Sequence, residues 1–196
     1  MTLTVLSVMF TAIISQNIVL SQYQGICPFL GVSKKMSSAA GMGLAVIFVM
    51  AISSVFCWLV YEYVLTPLEL EYLSTMAFIL VIASLVQLLE MALRRFSPTL
   101  YSALGVYLPL ITTNCAILGT ANSTIVFSSY ESFGMVFAAS VATGMGFLLA
   151  IYLLAGVRLK TDKADIPKCF KGFPITLVTA AIMAMAFAGF SGMLAG

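Results

Sequence analysis

The pattern of apolar and polar residues along the chain predicts a series of membrane-spanning helices. An apolar stretch of roughly 20 residues is long enough to cross the hydrocarbon core of a bilayer as an α-helix. Stretches of this kind cover residues 3–22, 38–61, 73–91, 100–120, 133–157 and 174–195. The sequence therefore predicts an all-α integral membrane protein in which six transmembrane helices form a single membrane domain, residues 1–196.

The basic residues fall in alternate connections between these spans. The first, third and fifth connections contain all 9 lysine and arginine residues, whereas the second and fourth contain only acidic charges. Lysine and arginine are enriched in the cytoplasmic loops of membrane proteins. We therefore expect these three connections in the cytoplasm and both termini outside, which is an N-out/C-out topology.

Two uncharged stretches, residues 1–33 and 96–130, are each too long for one straight membrane helix. At a rise of 1.5 Å per residue either would extend about 50 Å, whereas the hydrocarbon core is about 30 Å thick. Both contain polar or helix-breaking residues, namely Gln16, Asn17, Gln22, Gln24, Gly25 and Pro28 in the first and Pro109, Thr112, Thr113, Asn114, Gly119 and Asn122 in the second. Irregular backbone at membrane depth requires protein or a polar site to satisfy it. Each stretch is therefore predicted to contain a broken or re-entrant helix.

The same short motif, Cys-x-x-Leu-Gly, occurs in both of these stretches, at residues 27–31 and 115–119. With three spans in each half, the second half crosses the membrane in the opposite direction to the first. This predicts two inverted repeats, approximately residues 1–95 and 96–196. In proteins built this way, functional sites lie near the midplane at discontinuous helices, so we expect the two motif cysteines to face each other about a pseudo-two-fold axis.

A second pair of similar segments, Gly-Met-Gly at residues 41–43 and 144–146, occurs in the two halves. Small residues let helices approach closely in lipid. We interpret these glycines as helix-packing residues and not as a phosphate-binding loop.

Composition agrees with the membrane class and limits the possible functions. Apolar residues make up 62% of the chain and charged residues 8%, whereas soluble proteins have about 45–50% and about 25%. The chain has no basic run of the kind that follows a phosphate backbone, which argues against nucleic-acid binding. It contains no histidine, so this chain alone cannot supply His-ligated haem, Rieske-type or His-containing zinc sites.

The motif cysteines, Cys27 and Cys115, are the candidate metal ligands. Pro28 suits the first position of a helix, so Cys27 is expected to be the helix-cap residue, close to free backbone N–H groups that favour a thiolate. Unpaired cysteines in apolar surroundings more commonly act as small buried hydrophobes. We interpret Cys57 and Cys169 in that way, as structural or incidental residues.

Two thiolates do not complete a common iron–sulfur cluster, which takes four cysteines. If the motif cysteines hold such a cluster, two more ligands come from another chain. We find no ionisable residue deep in a predicted span, where an ion pathway would show one. Glu90 is the nearest, and we interpret it as an i, i+4 partner of Arg94 at the cytoplasmic end of the third span.

The segments Gly25–Lys35 (GICPFLGVSKK) and Leu108–Gly119 (LPLITTNCAILG) resemble the A subunit of the Rnf electron-transport complex. That family is shared with the D and E subunits of the Na⁺-translocating NADH:quinone reductase. The similarity extends from about Asn17 to Gly192, and Pro28, Gly31 and Thr113 fit the Rnf branch better than the quinone-reductase branch.

The resemblance implies a six-span subunit that pairs with a homologous sibling of opposite topology, similar to the E subunit of Rnf, in a bacterial inner membrane. It implies that Cys27 and Cys115 supply half the ligands of a [2Fe-2S] cluster and the sibling supplies the rest. The assembly would pass electrons between ferredoxin and NAD⁺ while moving Na⁺ or H⁺. This chain would be a non-autonomous part of that oxidoreductase, with no catalytic site of its own and with flavin and NAD sites on other subunits.

Three other interpretations remain open at the level of sequence. The chain can be the E subunit of a Na⁺-translocating NADH:quinone reductase. It can be a stand-alone secondary transporter, since such proteins also use inverted repeats and broken helices. Finally, it can be a purely structural membrane protein of a larger complex, with cysteines that only fill space.

Overall fold

The computed structural model describes residues 7–33, 35–96, 110–111, 114–127, 133–161, 167 and 170–191, and all regular structure in these ranges is helical. The α-helices are α1 (Ile26–Val32), α2 (Met36–Val60), α3 (Ser74–Phe96), α4 (Cys115–Ala121), α5 (Phe133–Thr161) and α6 (Phe173–Ser191). π-Helical segments occur at Thr11–Ser15, Tyr61–Leu65 and Asn122–Phe127, and a short 3₁₀ helix at Glu71–Leu73. The prediction of an all-α protein is confirmed for these residues.

Four helices are long and apolar enough to cross a membrane, namely Met36–Leu65, Ser74–Met91, Phe133–Thr161 and Phe173–Phe190. They coincide with four of the six predicted spans. The other two predicted spans, residues 3–22 and 100–120, lie partly outside the described residues. A multi-pass membrane protein is therefore supported, whereas the count of six spans, the inverted repeat and the N-out/C-out topology stay predictions.

Helices α2 and α5 pack closely against each other through the predicted glycines. A Cβ atom on Gly43 would lie 3.2 Å from the Cα of Leu148, and one on Gly144 would lie 3.1 Å from the Cα of Ile47. The two contacts are equivalent, because Leu148 lies four positions after Gly144 and Ile47 lies four positions after Gly43. This reciprocal contact confirms the packing role of Gly43 and Gly144. Gly41, from the same pair of segments, is exposed and has no described atom within 4 Å of an added Cβ, so the packing role predicted for it is not seen within this chain.

The first long uncharged stretch is broken, as the sequence predicts. Helical residues 7–10 continue into the π-helical segment Thr11–Ser15, after which no helix forms until α1 begins at Ile26. In this gap Tyr23 and Gly25 have φ angles of 56° and 76°. Non-glycine residues rarely adopt positive φ, so the chain makes an unusual turn immediately before the first motif.

Asn17 stabilises this gap through both ends of its buried amide. Its Oδ1 accepts hydrogen bonds from the backbone N–H groups of Val19 (3.1 Å) and Leu20 (3.3 Å), and its Nδ2 donates to the carbonyl oxygen of Gly146 in α5 (2.8 Å). Backbone groups buried without partners are strongly unfavourable in lipid. Asn17 therefore satisfies the backbone that the helix break exposes and fixes the gap to α5.

The second stretch is interrupted immediately before its motif. Asn114 is not helical, with φ −73° and ψ 109°, and α4 begins at the next residue, Cys115. The π-helical segment Asn122–Phe127 then extends α4. Both motifs therefore lie in short helices of 7 residues, α1 and α4, that begin at an interruption.

Candidate functional site

Cys27 is the second residue of α1 and not its cap, so the predicted cap assignment is wrong. The cap is Gly25, whose left-handed backbone (φ 76°) lets α1 begin at Ile26. The carbonyl oxygen of Gly25 accepts the hydrogen bond of the Phe29 N–H at 3.3 Å. Pro28 still lies in the first turn of the helix, where backbone N–H groups have no partner within the helix, so the N–H that proline lacks is not needed there. Cys27 thus remains in the first turn of the helix.

Cys115 is the first residue of α4 and follows a well-defined cap. The Oδ1 atom of Asn114 accepts a hydrogen bond from the backbone N–H of Ala116 at 3.1 Å. Asparagine is among the preferred N-cap residues because its side-chain oxygen can satisfy a free N–H of the first turn. Of the three polar residues that precede this cysteine, Thr112 and Thr113 lie outside the described residues.

The starts of α1 and α4 meet, which brings the two motifs to one place. The backbone N–H of Gly25 donates a hydrogen bond to the Sγ of Cys115 at 2.9 Å, across 90 positions of the sequence. Gly25 lies two residues before Cys27, and both cysteines are exposed on this chain. Hydrogen bonds to sulfur are among the features that tune iron–sulfur sites in proteins.

Gly25 fits this junction because it has no side chain. A Cβ atom there would lie 3.0 Å from the Cβ of Ala116, 3.0 Å from the Cε2 of Phe147 and 3.2 Å from the Oδ1 of Asn114. The positive φ is a second reason for glycine at this position. The sequence identifies Gly25 only as a helix breaker. Its position two residues before a motif cysteine is the one feature of the sequence that could have pointed to its place at this junction.

Arg158, from the end of α5, holds the other end of α1. Its Nη1 donates to the carbonyl oxygen of Leu30 at 3.1 Å and to the Oγ of the buried Ser33 at 2.9 Å. The last carbonyls of a helix have no partner within the helix, and a positive charge there is favourable. The sequence shows Arg158 only as one of the basic residues between two predicted spans. It gives no sign of the contact with Leu30, because no local pattern links residues 128 positions apart.

Replacing Arg158 by methionine is expected to loosen α1. The change removes two hydrogen bonds from a charged donor, an effect of about 1–3 kcal/mol, so amide hydrogen exchange across residues 26–33 should be faster by roughly 10- to 100-fold. The measurement is hydrogen exchange by mass spectrometry on the purified complex. Lys160→Met is the matched control, since Lys160 lies on the same helix, is exposed and has no described contact with α1. Equal exchange in both variants would contradict the role given to Arg158.

The sequence profile described as "Rnf-Nqr subunit, membrane protein" matches residues 5–194. The chain belongs to the Rnf-Nqr family. It is 53% identical over 194 residues to the A subunit of the Na⁺-translocating ferredoxin:NAD⁺ oxidoreductase complex of Acetobacterium woodii, covering 99% of this chain and 100% of that protein. It is 48% identical to the A subunit of the ion-translocating oxidoreductase complex of Syntrophotalea carbinolica, over 97% of this chain and 98% of that protein. A protein of the same name from Cronobacter sakazakii is 49% identical, over 92% and 93%.

Two thiols, Cys27 and Cys115, are too few to make a complete four-cysteine site by themselves. The described residues contain no group of three or more His, Cys, Asp or Glu side chains able to hold a metal ion. Cys57 is buried in α2, which suits a packing role, and Cys169 lies outside the described residues. Two exposed thiols with an N–H group directed at one of them suit the soft-ligand chemistry of iron–sulfur clusters, but only as part of a larger site.

The acidic residue noted from the sequence, Glu90, lies on α3 and is half-buried. The side chain of its expected partner, Arg94, is outside the described part of the chain, so their pairing stays a prediction.

Proposed function

We propose that this chain is the A subunit of an ion-translocating ferredoxin:NAD⁺ oxidoreductase complex, and that Cys27 and Cys115 supply two of the four ligands of a [2Fe-2S] cluster. The observation that carries this proposal is the hydrogen bond from the Gly25 N–H to the Cys115 Sγ, which joins the two motif helices at their cysteine ends. The names of the two A subunits from Acetobacterium woodii and Syntrophotalea carbinolica support the assignment of the complex.

The residues of this chain would bind and position the cluster. The Cys27 and Cys115 thiolates would be the iron ligands, and the Gly25 N–H would stabilise negative charge on the sulfur of Cys115. Asn114 holds the first turn of α4, while Arg158 holds the far end of α1. When bound, a [2Fe-2S] cluster accepts and releases electrons, with a potential that depends on hydrogen bonds to its sulfurs and on solvent exposure. The chain would thus act as an electron relay without a catalytic site of its own.

The missing half of the ligand set would come from a homologous sibling protein of opposite topology. Both motif cysteines are exposed on this chain, although thiols at membrane depth are normally buried. A partner that covers them and adds two further cysteines would complete the four-thiolate set. The reciprocal contacts of Gly43 and Gly144 across α2 and α5, and the place of a Cys-x-x-Leu-Gly motif at the start of both α1 and α4, support the inverted repeat on which this arrangement depends.

The complex as a whole would operate in a bacterial cell membrane, with flavin and nucleotide sites on other subunits. Iron and acid-labile sulfide analysis of the purified complex tests the proposal. We expect iron and sulfide in equal amounts in the fraction that contains this chain and its sibling. A pair of subunits that is free of iron would overturn the proposed function.

A further inference from the structure

The side chain of Gln24 lies directly against Gly119, the last residue of the second motif. A Cβ atom on Gly119 would occupy the place of the Gln24 amide group, so any side chain there would displace it. The corresponding glycine of the first motif, Gly31, is exposed and has no described atom within 4 Å of an added Cβ. Of the two motif glycines, only Gly119 therefore has a packing partner among the described residues.

Gln24 lies in the middle of the turn that precedes α1. Its neighbours Tyr23 and Gly25 have φ angles of 56° and 76°. Residues in rarely populated backbone conformations persist only where the surrounding structure holds them. The backbone N–H of Gln24 donates to the carbonyl oxygen of Ile18 at 3.0 Å, and its side chain contacts Gly119. Gln24 therefore fixes this turn at two points, one of which is on α4.

The residue that follows Gln24 contacts a candidate ligand. The backbone N–H of Gly25 belongs to the peptide group that joins these two residues, and it donates to the Sγ of Cys115 at 2.9 Å. Gly119 lies four residues after Cys115, which is about one turn farther along α4. The side chain of Gln24 and the peptide group that follows it thus contact α4 one turn apart. A change in the first contact is therefore expected to move the second.

The contact of Gln24 with α4 depends on shape and not on a hydrogen bond. The Oε1 atom of Gln24 is buried and has no hydrogen-bond partner among the described residues. A buried acceptor without a partner destabilises the folded state, so hydrogen bonding within this chain does not account for the side chain. What Gln24 supplies is an unbranched side chain that is long enough to reach Gly119.

We propose that Gln24 and Gly119 are positioning residues for the proposed cluster. Their contact holds the Gly25 N–H on the sulfur of Cys115, and this hydrogen bond raises the reduction potential of the cluster. Hydrogen bonds to the sulfurs are among the features that set the potential of an iron–sulfur cluster. Reduction adds negative charge, and the positive end of an N–H dipole attracts that charge. This inference rests on the proposed function, in which Cys115 is an iron ligand.

The test is a redox titration of the purified complex, followed by the electron paramagnetic resonance signal of the reduced cluster. Gln24→Ala removes the contacting side chain, and Gly119→Ala places a methyl group where the amide lies. In both variants we expect the ratio of reduced to oxidised cluster at a fixed potential to fall by about threefold to tenfold, where tenfold is about 59 mV for a one-electron couple. Iron content should be retained, because both motif cysteines are still present.

Two controls separate the position of the N–H from a general effect on the fold. Gln24→Met keeps an unbranched, flexible side chain, so its potential should be close to that of the unsubstituted complex. Gly41→Ala makes the same change as Gly119→Ala at an exposed helical glycine with no described atom within 4 Å of the added Cβ, and it should leave the potential unchanged. If Gly119→Ala does not assemble, Gln24→Ala, which adds no atom, provides the same test.

Unchanged potentials in Gln24→Ala and Gly119→Ala would overturn the proposal, as would an equal shift in Gln24→Met or in Gly41→Ala. Loss of iron from Gln24→Ala would also contradict it, because Gln24 would then be needed to retain the cluster and not to tune it. Iron and sulfide in the unsubstituted complex separate this inference from the proposed function. A complex without iron would refute both, whereas a complex with iron and unchanged potentials in the variants would refute only the positioning role.

Discussion

Replacing either Cys27 or Cys115 by serine is expected to abolish the electron paramagnetic resonance signal of the reduced [2Fe-2S] cluster in the purified complex. Each change removes one of the two thiolates that this chain supplies, and a hydroxyl is a much poorer ligand for iron in a sulfur-rich set. Electron transfer from reduced ferredoxin to NAD⁺ should fall to background in the same samples. Both cysteines are exposed on this chain, so neither change removes a packed core side chain.

Cys57→Ala is the control for these substitutions. Cys57 is also a free thiol in an apolar helix, but it is buried in α2 and has no part in the proposed site. Its loss should leave the signal and the activity in place. A full signal in Cys27→Ser or in Cys115→Ser would refute the ligand assignment, and an equal loss of signal in Cys57→Ala would show that the effect is not specific to the motif cysteines.

Gly25→Ala is expected to disrupt the site without touching either cysteine. Alanine in a left-handed backbone conformation destabilises the folded state by about 1–2 kcal/mol. An extra methyl group in a site that is already filled destabilises it by about 1–3 kcal/mol more. The new Cβ would meet Ala116, Phe147 and Asn114, all at 3.2 Å or less. The backbone at residue 25 must therefore shift, and its N–H moves away from the Cys115 sulfur.

The measurements for Gly25→Ala are iron content and the thermal unfolding of the complex, and both should decrease. Gly41→Ala is the matched control, because Gly41 is exposed, lies within α2 and has no atom within 4 Å of the position of an added Cβ. At a helical position of this kind alanine is favoured over glycine by up to about 1 kcal/mol. Equal behaviour of the two variants would contradict the close packing described around Gly25.

The parts of the fold that follow from local pattern were predicted well. Helices α2, α3, α5 and α6 are long apolar stretches, and their existence needs no information beyond hydrophobicity and length. The breaks were predicted because the uncharged stretches exceed the thickness of the bilayer and contain polar residues such as Asn17 and Asn114. Repetition of one motif also singles out Cys27 and Cys115 among the four cysteines of the chain, and their role as ligands stays a prediction.

What the sequence did not reveal depends on contacts between distant residues. The start of α1 was placed two residues late because the sequence does not show that Gly25 adopts a left-handed conformation and packs against residues of α4 and α5. The contact of Arg158 with Leu30 has no local signal for the same reason.

The most direct test is to compare the iron content of this chain purified alone with that of the chain co-purified with its sibling. If Cys27 and Cys115 are half of a ligand set, the chain alone should retain little iron, and the pair should contain iron and acid-labile sulfide in equal amounts. The same quantity of cluster on the chain alone, or no iron in the pair, would contradict a [2Fe-2S] cluster shared between the two proteins.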